Sequence, residues 1–269
     1  MRIAVDHRTL YRFTEPQARI IQMLRMRPCD TRTQTVVDWR IDVDCDARLR
    51  RSEDGFGNEV TMLYAEGPLD SIELRVTGEV LTLESNGVVA DAPEPLPPML
   101  FLRETPRTAP GEMLTKFATE AVSGIEDPLE RLHRLNTALH ARFKVAPVAP
   151  DHGETVADSF LKKQLTARDR AQIFVAAARC CGAPARYVSG YRQTEEASLA
   201  PDAWAEAHVP DLGWVAFDPE SGACADESYI RVAVALDATG AAPISGQRVG
   251  AGEEALDVDV QVEQLGVEG

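Results

Sequence analysis

Apolar and polar side chains alternate along most of the first hundred residues. Ile3, Val5, His7, Thr9, Tyr11 and Phe13 share one parity, which predicts a strand with one largely apolar face. From Val37 to Cys45 every odd position is apolar and every even one charged, the pattern of a half-buried strand with its other face in water. Asp54-Gly55-Phe56-Gly57-Asn58 is a turn signal, Val60 to Tyr64 is the next strand, and Ile72, Leu74, Val76 and Val80 continue the alternation. An antiparallel β domain over residues 1–85 is the expectation.

The period then changes. Six prolines lie between Asn86 and Gly111, so residues 86–110 read as a connector that neither a helix nor a central strand can continue through. Met113 to Val122 suits a short helix. Leu129, Leu132, Leu135, Leu139 and Phe143 recur at three- and four-residue steps after Asp127-Pro128, the stripe of a longer helix with one buried face. Thr166-Ala167-Arg168-Asp169 fits a capping box with Asp in the place of Glu. The helix it opens, Ala167 to about Cys181, is apolar almost all round and therefore central, and Gly182 and Pro184 stop it. Short strands follow at Ala185 to Arg192, Ala203 to Val209 and Trp214 to Phe217. Leu256, Val258, Val260 and Val262 alternate with polar neighbours, so the tail is a strand as well. Residues 111–269 are read as one core that includes this strand. The fold class is α+β.

Composition narrows the function. Twenty-eight Lys and Arg against 43 Asp and Glu give a net charge of −15, which disfavours nucleic acid and anionic membrane surfaces as partners. No apolar run approaches the length of a membrane span. The amino terminus meets charge too early for a signal peptide, and five cysteines with no Cys-x-x-Cys suit a reducing cytoplasm.

A buried helix followed by antiparallel strands is the layout of papain-like thiol enzymes, with the nucleophile at the positive end of the helix and the base and its orienting acid on strands. The runs Ala176 to Tyr191, Ala203-Trp204-Ala205-Glu206-Ala207-His208-Val209-Pro210 and Gly213-Trp214-Val215-Ala216-Phe217-Asp218-Pro219 resemble the bacterial transglutaminase-like family. Asp54-Gly55-Phe56-Gly57-Asn58 and its surroundings resemble the β domain that precedes the core in that family. The resemblance implies a Cys, His, Asp triad. It places the Cys position at Ala167 and the His position at Asp202, and only Asp218 survives. Alanine has no nucleophilic atom, and aspartate does not supply the imidazole that activates a thiol near neutral pH. Gln172 stands where the family often has His.

The expected function is therefore a catalytically inactive transglutaminase-like pseudoenzyme that binds a peptide or protein, with a peptide-modifying or amide-forming enzyme as the partner class that the resemblance suggests. No cofactor and no metal is expected. Arg168, Arg170, Gln172, Trp204, Glu206 and Trp214 are the cleft candidates. Two carboxylates brought together without a cation would raise one another's pKa. Either Arg168 or Arg170 pairs with Asp202 or Asp218, or both arginines decorate the first helical turn. Trp204 and Trp214 suit core or cleft wall better than a ligand platform. Two enzyme readings remain as alternatives. A displaced nucleophile, Cys224, would use His152 as base; Cys180 and Cys181 lie at the wrong end of the helix, and His208 lies roughly 20 Å along the strand from Asp202. Alternatively Asp202 and Asp218 would serve a carboxylate- or metal-dependent hydrolase; with Glu206 they could gather as oxygen ligands for a divalent metal, although their spacing is no recognised metal motif.

Overall fold

The structure is a computed structural model that describes residues 1–194 and 198–266. Four strands open the chain: β1 (Arg2–Leu24), β2 (Gln34–Val43), β3 (Ala47–Glu53) and β4 (Glu59–Thr82). The proline-rich stretch holds only the two-residue β5 (Val88–Val89) and a 3-10 turn at Pro98–Leu102. Helices α1 (Glu112–Ala121) and α2 (Pro128–Arg142) follow, then β6 (Lys144–Val145), α3 (Val156–Ser159), β7 (Gln164–Leu165) and α4 (Ala167–Cys180). The last third is strand again: β8 (Ala185–Arg192), β9 (Asp202–Val209), β10 (Gly213–Asp218), β11 (Ala223–Cys224), β12 (Tyr229–Ala235), β13 (Ile244–Val249) and β14 (Glu254–Gln264).

Alternation in the sequence becomes a sheet built on two long partners. β1 and β4 are 23 and 24 residues long and pair antiparallel, with register shifts between Arg12 and Arg19. Their first shared half carries β14 on one edge and β2 on the other; their second half carries β13 and β3. The two strand candidates read separately at Val60 to Tyr64 and Ile72 to Val80 are thus one strand. The closing strands, counted from the sequence with the core of residues 111–269, hydrogen-bond instead to β1 of the first sheet. Ile3, Val5, His7 and Thr9 are buried as their parity requires.

Val37 departs from its expected place. A register shift between Val36 and Asp38 turns it outward, 51% exposed, while Gln34 and Trp39 on either side are buried. An extra residue in one strand of a pair reverses the parity behind it. Segment β3, Ala-Arg-Leu-Arg-Arg-Ser-Glu, is exposed along nearly its whole length, so it carries no alternation to be read.

The second sheet runs β11-β10-β9-β8-β12, with β5 added on β10. Helix α4 lies against β8 and β9 and is covered by α1, α2 and α3, which buries it from Asp169 through Arg179. Thr166 caps it as expected, its hydroxyl accepting from the Asp169 N–H at 3.2 Å, and Gly182 leaves the helix at φ +79°. The Asp169 carboxylate reaches back to the Thr166 hydroxyl at 2.9 Å, not to a backbone N–H.

The two sheets meet at the free edge of β12. The Gln34 side-chain amide donates to the Arg231 carbonyl at 2.9 Å and accepts from the Arg231 N–H at 2.8 Å. Asn58 does the same for Val234, at 2.8 Å in both directions. Two amide side chains thereby stand in for a neighbouring strand and satisfy buried backbone groups that an edge leaves open. Asp54 holds Asn58 in place through its backbone and side-chain N–H groups, at 3.1 and 3.0 Å, which gives the Asp54 to Asn58 turn its structural purpose.

Asn58→Ala is expected to cost about 2–4 kcal/mol, because it orphans a buried donor and a buried acceptor on Val234. Urea unfolding of the two proteins checks this; a loss within measurement error would mean that water replaces the amide at no cost.

Candidate functional site

The site forms where the first turn of α4 meets the ends of β8, β9 and β10. Ala167 is the first helical residue after the Thr166 cap. Its methyl group opens on a cleft of about 550 Å³ whose lining includes Tyr191, Arg192, Asp202 and Glu220. The segment Val145 to Val148 forms one wall, and Val260 and Val262 of β14 form another. Among the described residues no histidine and no cysteine lines this cleft.

One cation organises the polar floor. Arg192 Nε lies 2.8 Å from Asp202 Oδ2, Nη1 lies 3.2 Å from Asp218 Oδ2, and Nη2 lies 3.0 Å from Glu220 Oε1. The Tyr229 hydroxyl donates to Asp218 Oδ2 at 2.7 Å, and the Glu220 N–H donates to Asp218 Oδ1 at 2.7 Å. Asp202 Oδ1 accepts from the Ala203 N–H at 2.8 Å. Three carboxylates thus share one guanidinium. Burial, and secondarily the charges of Asp218 and Glu220, push Asp202 up to about 6 against the pull of Arg192. Burial alone would lower Arg192, but its carboxylate neighbours hold it above the ordinary arginine value.

The register explains why these groups meet. Gly190 on β8 sits opposite Asp202 on β9, and Arg192 two residues on shares that face. Glycine is required there: a Cβ at residue 190 would stand 2.1 Å from the Ile230 carbonyl oxygen and 2.5 Å from Trp204 Cη2. Tyr229 is the register partner of Arg192 on β12, which completes the cluster.

The guanidinium expected from α4 therefore comes from β8. Arg168 donates to the carbonyls of Ala149 and Pro150 at 3.2 and 3.5 Å and pairs with Asp169 at 3.5 Å. Arg170 is buried and donates to the carbonyls of Pro219 and Phe143 at 3.0 and 2.6 Å. Neither reaches Asp202 or Asp218, and neither points into open solvent. Gln172 accepts from the Ala238 N–H at 3.2 Å inside the core. Trp204 is buried edge-on to Tyr229, with ring centroids 5.2 Å apart, and Trp214 packs against Phe101 at 5.1 Å. None of these five side chains lines the cleft.

Glu206 belongs to a separate buried network. Arg186 Nε donates to it at 2.6 Å and Arg231 Nε at 2.7 Å. Burial by itself would raise its pKa, but Arg231 and Arg186 hold the carboxyl below the usual range. With Glu206 so engaged, Asp202, Glu206 and Asp218 do not converge on a common point, and among the described residues no group of three His, Cys, Asp or Glu is placed to hold a metal. Nor do Cys224 and His152 meet. Cys224, on β11, packs against Gly87, His152 follows the Asp151 that pairs with Arg107 at 2.6 Å, and no contact joins them among the described residues. Burial pushes the thiol pKa up for Cys29, Cys45, Cys180, Cys181 and Cys224 alike. The feature that makes a catalytic cysteine reactive, a depressed pKa, is reversed at every one of them.

Comparison with known proteins agrees with this geometry. A model of the bacterial transglutaminase-like N-terminal region matches residues 3–81, and the transglutaminase-like superfamily model matches residues 115–219. An uncharacterised protein of Mycobacterium leprae is 26% identical over 286 residues, covering 98% of this chain and 99% of its own length. An uncharacterised protein of Mycobacterium tuberculosis is 25% identical over 304 residues, covering 100% and 94%. A solved structure from Cytophaga hutchinsonii, assigned provisionally as a cysteine protease, superposes with a TM-score of 0.79 at 17% identity, over 100% of this chain and 92% of that one. That last likeness is one of fold.

The Asp202 charge has a measurable consequence. Its folded pKa stands near 6 against an ordinary 3.8, so between those values the folded protein holds a proton that the unfolded chain has released. Stability from this group is present below the lower value and lost as pH rises through the upper one. Asp202→Asn is expected to change stability little at pH 4 and to raise it by about 2–3 kcal/mol at pH 8. Denaturant unfolding at the two pH values is the check. A variant less stable than its parent at pH 8 would show that the attraction of Arg192 outweighs burial and repulsion.

Proposed function

The chain belongs to the transglutaminase-like superfamily, and we propose that it is a catalytically inactive member that holds a peptide or protein ligand in the cleft beside Ala167. The observation that carries this reading is the Arg192 clamp. In the family's chemistry the acid orients an imidazole, and the imidazole activates a thiol. Here Asp218 is engaged by Arg192, Tyr229 and the Glu220 N–H, and Asp202, at the imidazole position, is itself held by the same guanidinium. A methyl group stands where the helix terminus would stabilise a thiolate. Each triad position thus has a structural occupation or no reactive atom at all.

Binding in place of turnover is supported by the cleft itself, which at about 550 Å³ lies in the range of ligand sites and has apolar walls around a polar floor. A peptide-modifying or amide-forming enzyme is the partner class that the family resemblance suggests. Five unpaired cysteines support a reducing compartment, the cytoplasm. No helix among the described residues is long and apolar enough to cross a membrane.

Purified protein incubated with glutamine-containing peptides and a primary amine is expected to release no ammonia above a blank and to cleave no peptide. Maleimide labelling near neutral pH is expected to find all five thiols slower than free cysteine, as raised pKa values require. Turnover that disappears in Asp218→Ala, or one thiol labelled faster than free cysteine, would overturn the inactive assignment. For the binding half, peptides selected against the native protein are expected to lose affinity for Ala167→Trp, whose indole fills the cleft. Retention of affinity would place their site elsewhere.

A further inference from the structure

The opposite end of α4 carries a second cavity, roughly 20 Å from Ala167 by the rise of the helix. It measures about 500 Å³ and lies between the start of α2, the turn from α4 into β8, and the prolines at 98 and 210. Met99, Val122, Leu132 and Leu135 give it an almost wholly apolar wall, and among the described residues no acidic one lines it. Met99 is 68% exposed at its rim, an unbranched and adaptable side chain with nothing folded over it.

Two polar side chains face this apolar space. His208 packs edge-on to Trp214 at 5.4 Å, and burial lowers its pKa, so it adds no charge near neutral pH. Arg131 is the cation. One of its amino groups donates to the Cys181 carbonyl at 3.4 Å, a long bond to the carboxy-terminal cap of α4. Its Nε is sealed from the cavity, so the terminal amino groups are what it presents there, and none of the ion pairs among the described residues includes it: no carboxylate lies within 4.0 Å of it. Arg170 and Arg179 also lack an acid but spend their donors on carbonyls at 2.6 to 3.2 Å and on the Thr108 hydroxyl. Arg131 makes only the one long bond among the described residues and stands on an apolar wall, where an anion would find its donors free.

We propose that this cavity binds a small amphipathic carboxylate, a monoanion with an apolar body of medium-chain fatty-acid size. The carboxylate sits on the unused donors of Arg131, and the apolar body lies along Met99, Val122, Leu132 and Leu135. The planar guanidinium offers two parallel N–H groups to a carboxylate, a fit that a neutral head cannot reproduce. The volume is within the ordinary range of small-molecule sites. This site is separate from the cleft at Ala167, and its occupancy does not depend on whether that cleft binds a peptide.

Decanoate and decanol separate the head from the tail. Calorimetric titration of the intact protein is expected to show decanoate bound about tenfold or more tighter than decanol, the advantage of a charge-assisted bidentate bond. Arg131→Met is expected to erase that preference, and Ala183→Trp, at the cavity wall, to weaken both ligands. A readout on the unmutated protein guards against misfolded variants: Cys181 lines the cavity, so decanoate is expected to slow its labelling by maleimide while leaving Cys45 unchanged. Equal affinity for the two ligands, no protection of Cys181, or a carboxylate preference retained in folded Arg131→Met would each overturn the proposal.

Discussion

A single guanidinium shared by three carboxylates fixes the end of the second sheet. Arg192 closes β8, Asp202 opens β9, and Asp218 closes β10, so one side chain ties three strand ends. A half-buried cation so placed is worth less as a source of net stability than as a condition for burying the acids around it. Taking a carboxylate out of water costs several kcal/mol, and the attraction of a paired cation returns a similar amount only when geometry and further hydrogen bonds are good. Asp218 has such bonds, from Tyr229 and from the Glu220 N–H. Asp202 has fewer, and its raised pKa is the sign of that inequality. The cluster is stable as a unit and tense at one member.

The cleft above this cluster exists because distant segments are held together. Its walls come from Val145 to Val148, from the ends of β8 and β9, and from Val260 and Val262 of β14. β14 is a strand of the first sheet, hydrogen-bonded to β1, so the cleft lies at the seam between the two sheets. His7 on β1 reaches across that seam to the Tyr191 hydroxyl at 3.0 Å, and burial lowers its pKa to about 4, which keeps the ring neutral under ordinary conditions. The amides of Gln34 and Asn58 secure the same seam on the edge of β12. The first sheet is thereby part of the site's construction, through backbone pairing and neutral hydrogen bonds and not through charge.

Most of the elements were legible in the sequence because each imposes a period on its side chains. The parity of β1 and β14, the leucine stripe of α2 and the all-round apolar α4 have no other economical reading. Val37 and β3 were not legible, for opposite reasons: a register shift reversed one parity, and an exposed, polar strand shows none. The site was half legible. Motif position singled out Ala167, Asp202 and Asp218, but pairing among them depends on which strand faces which. Arg168 and Arg170 stand two residues apart on a helix, roughly 200° around its axis, so they could not both face one cleft. Arg192 carried no signal in its own neighbourhood. It became identifiable only through the glycine opposite Asp202, a fact about register between strands that a chain read alone does not contain.

The surviving acid shows why a conserved-looking motif is weak ground for activity. Asp218 accepts from a tyrosine hydroxyl and a backbone N–H and pairs with an arginine, and the hydroxyl and the N–H would lose their acceptor without it. Such a residue is held in place by folding whether or not any chemistry remains. The family resemblance puts the positions that only chemistry would require, the sulfur and the imidazole, at Ala167 and Asp202. On the inactive reading proposed above, the demands of the fold outlast those of catalysis, and Arg192 is the residue that lets two buried acids stand together where an imidazole and an acid would otherwise balance.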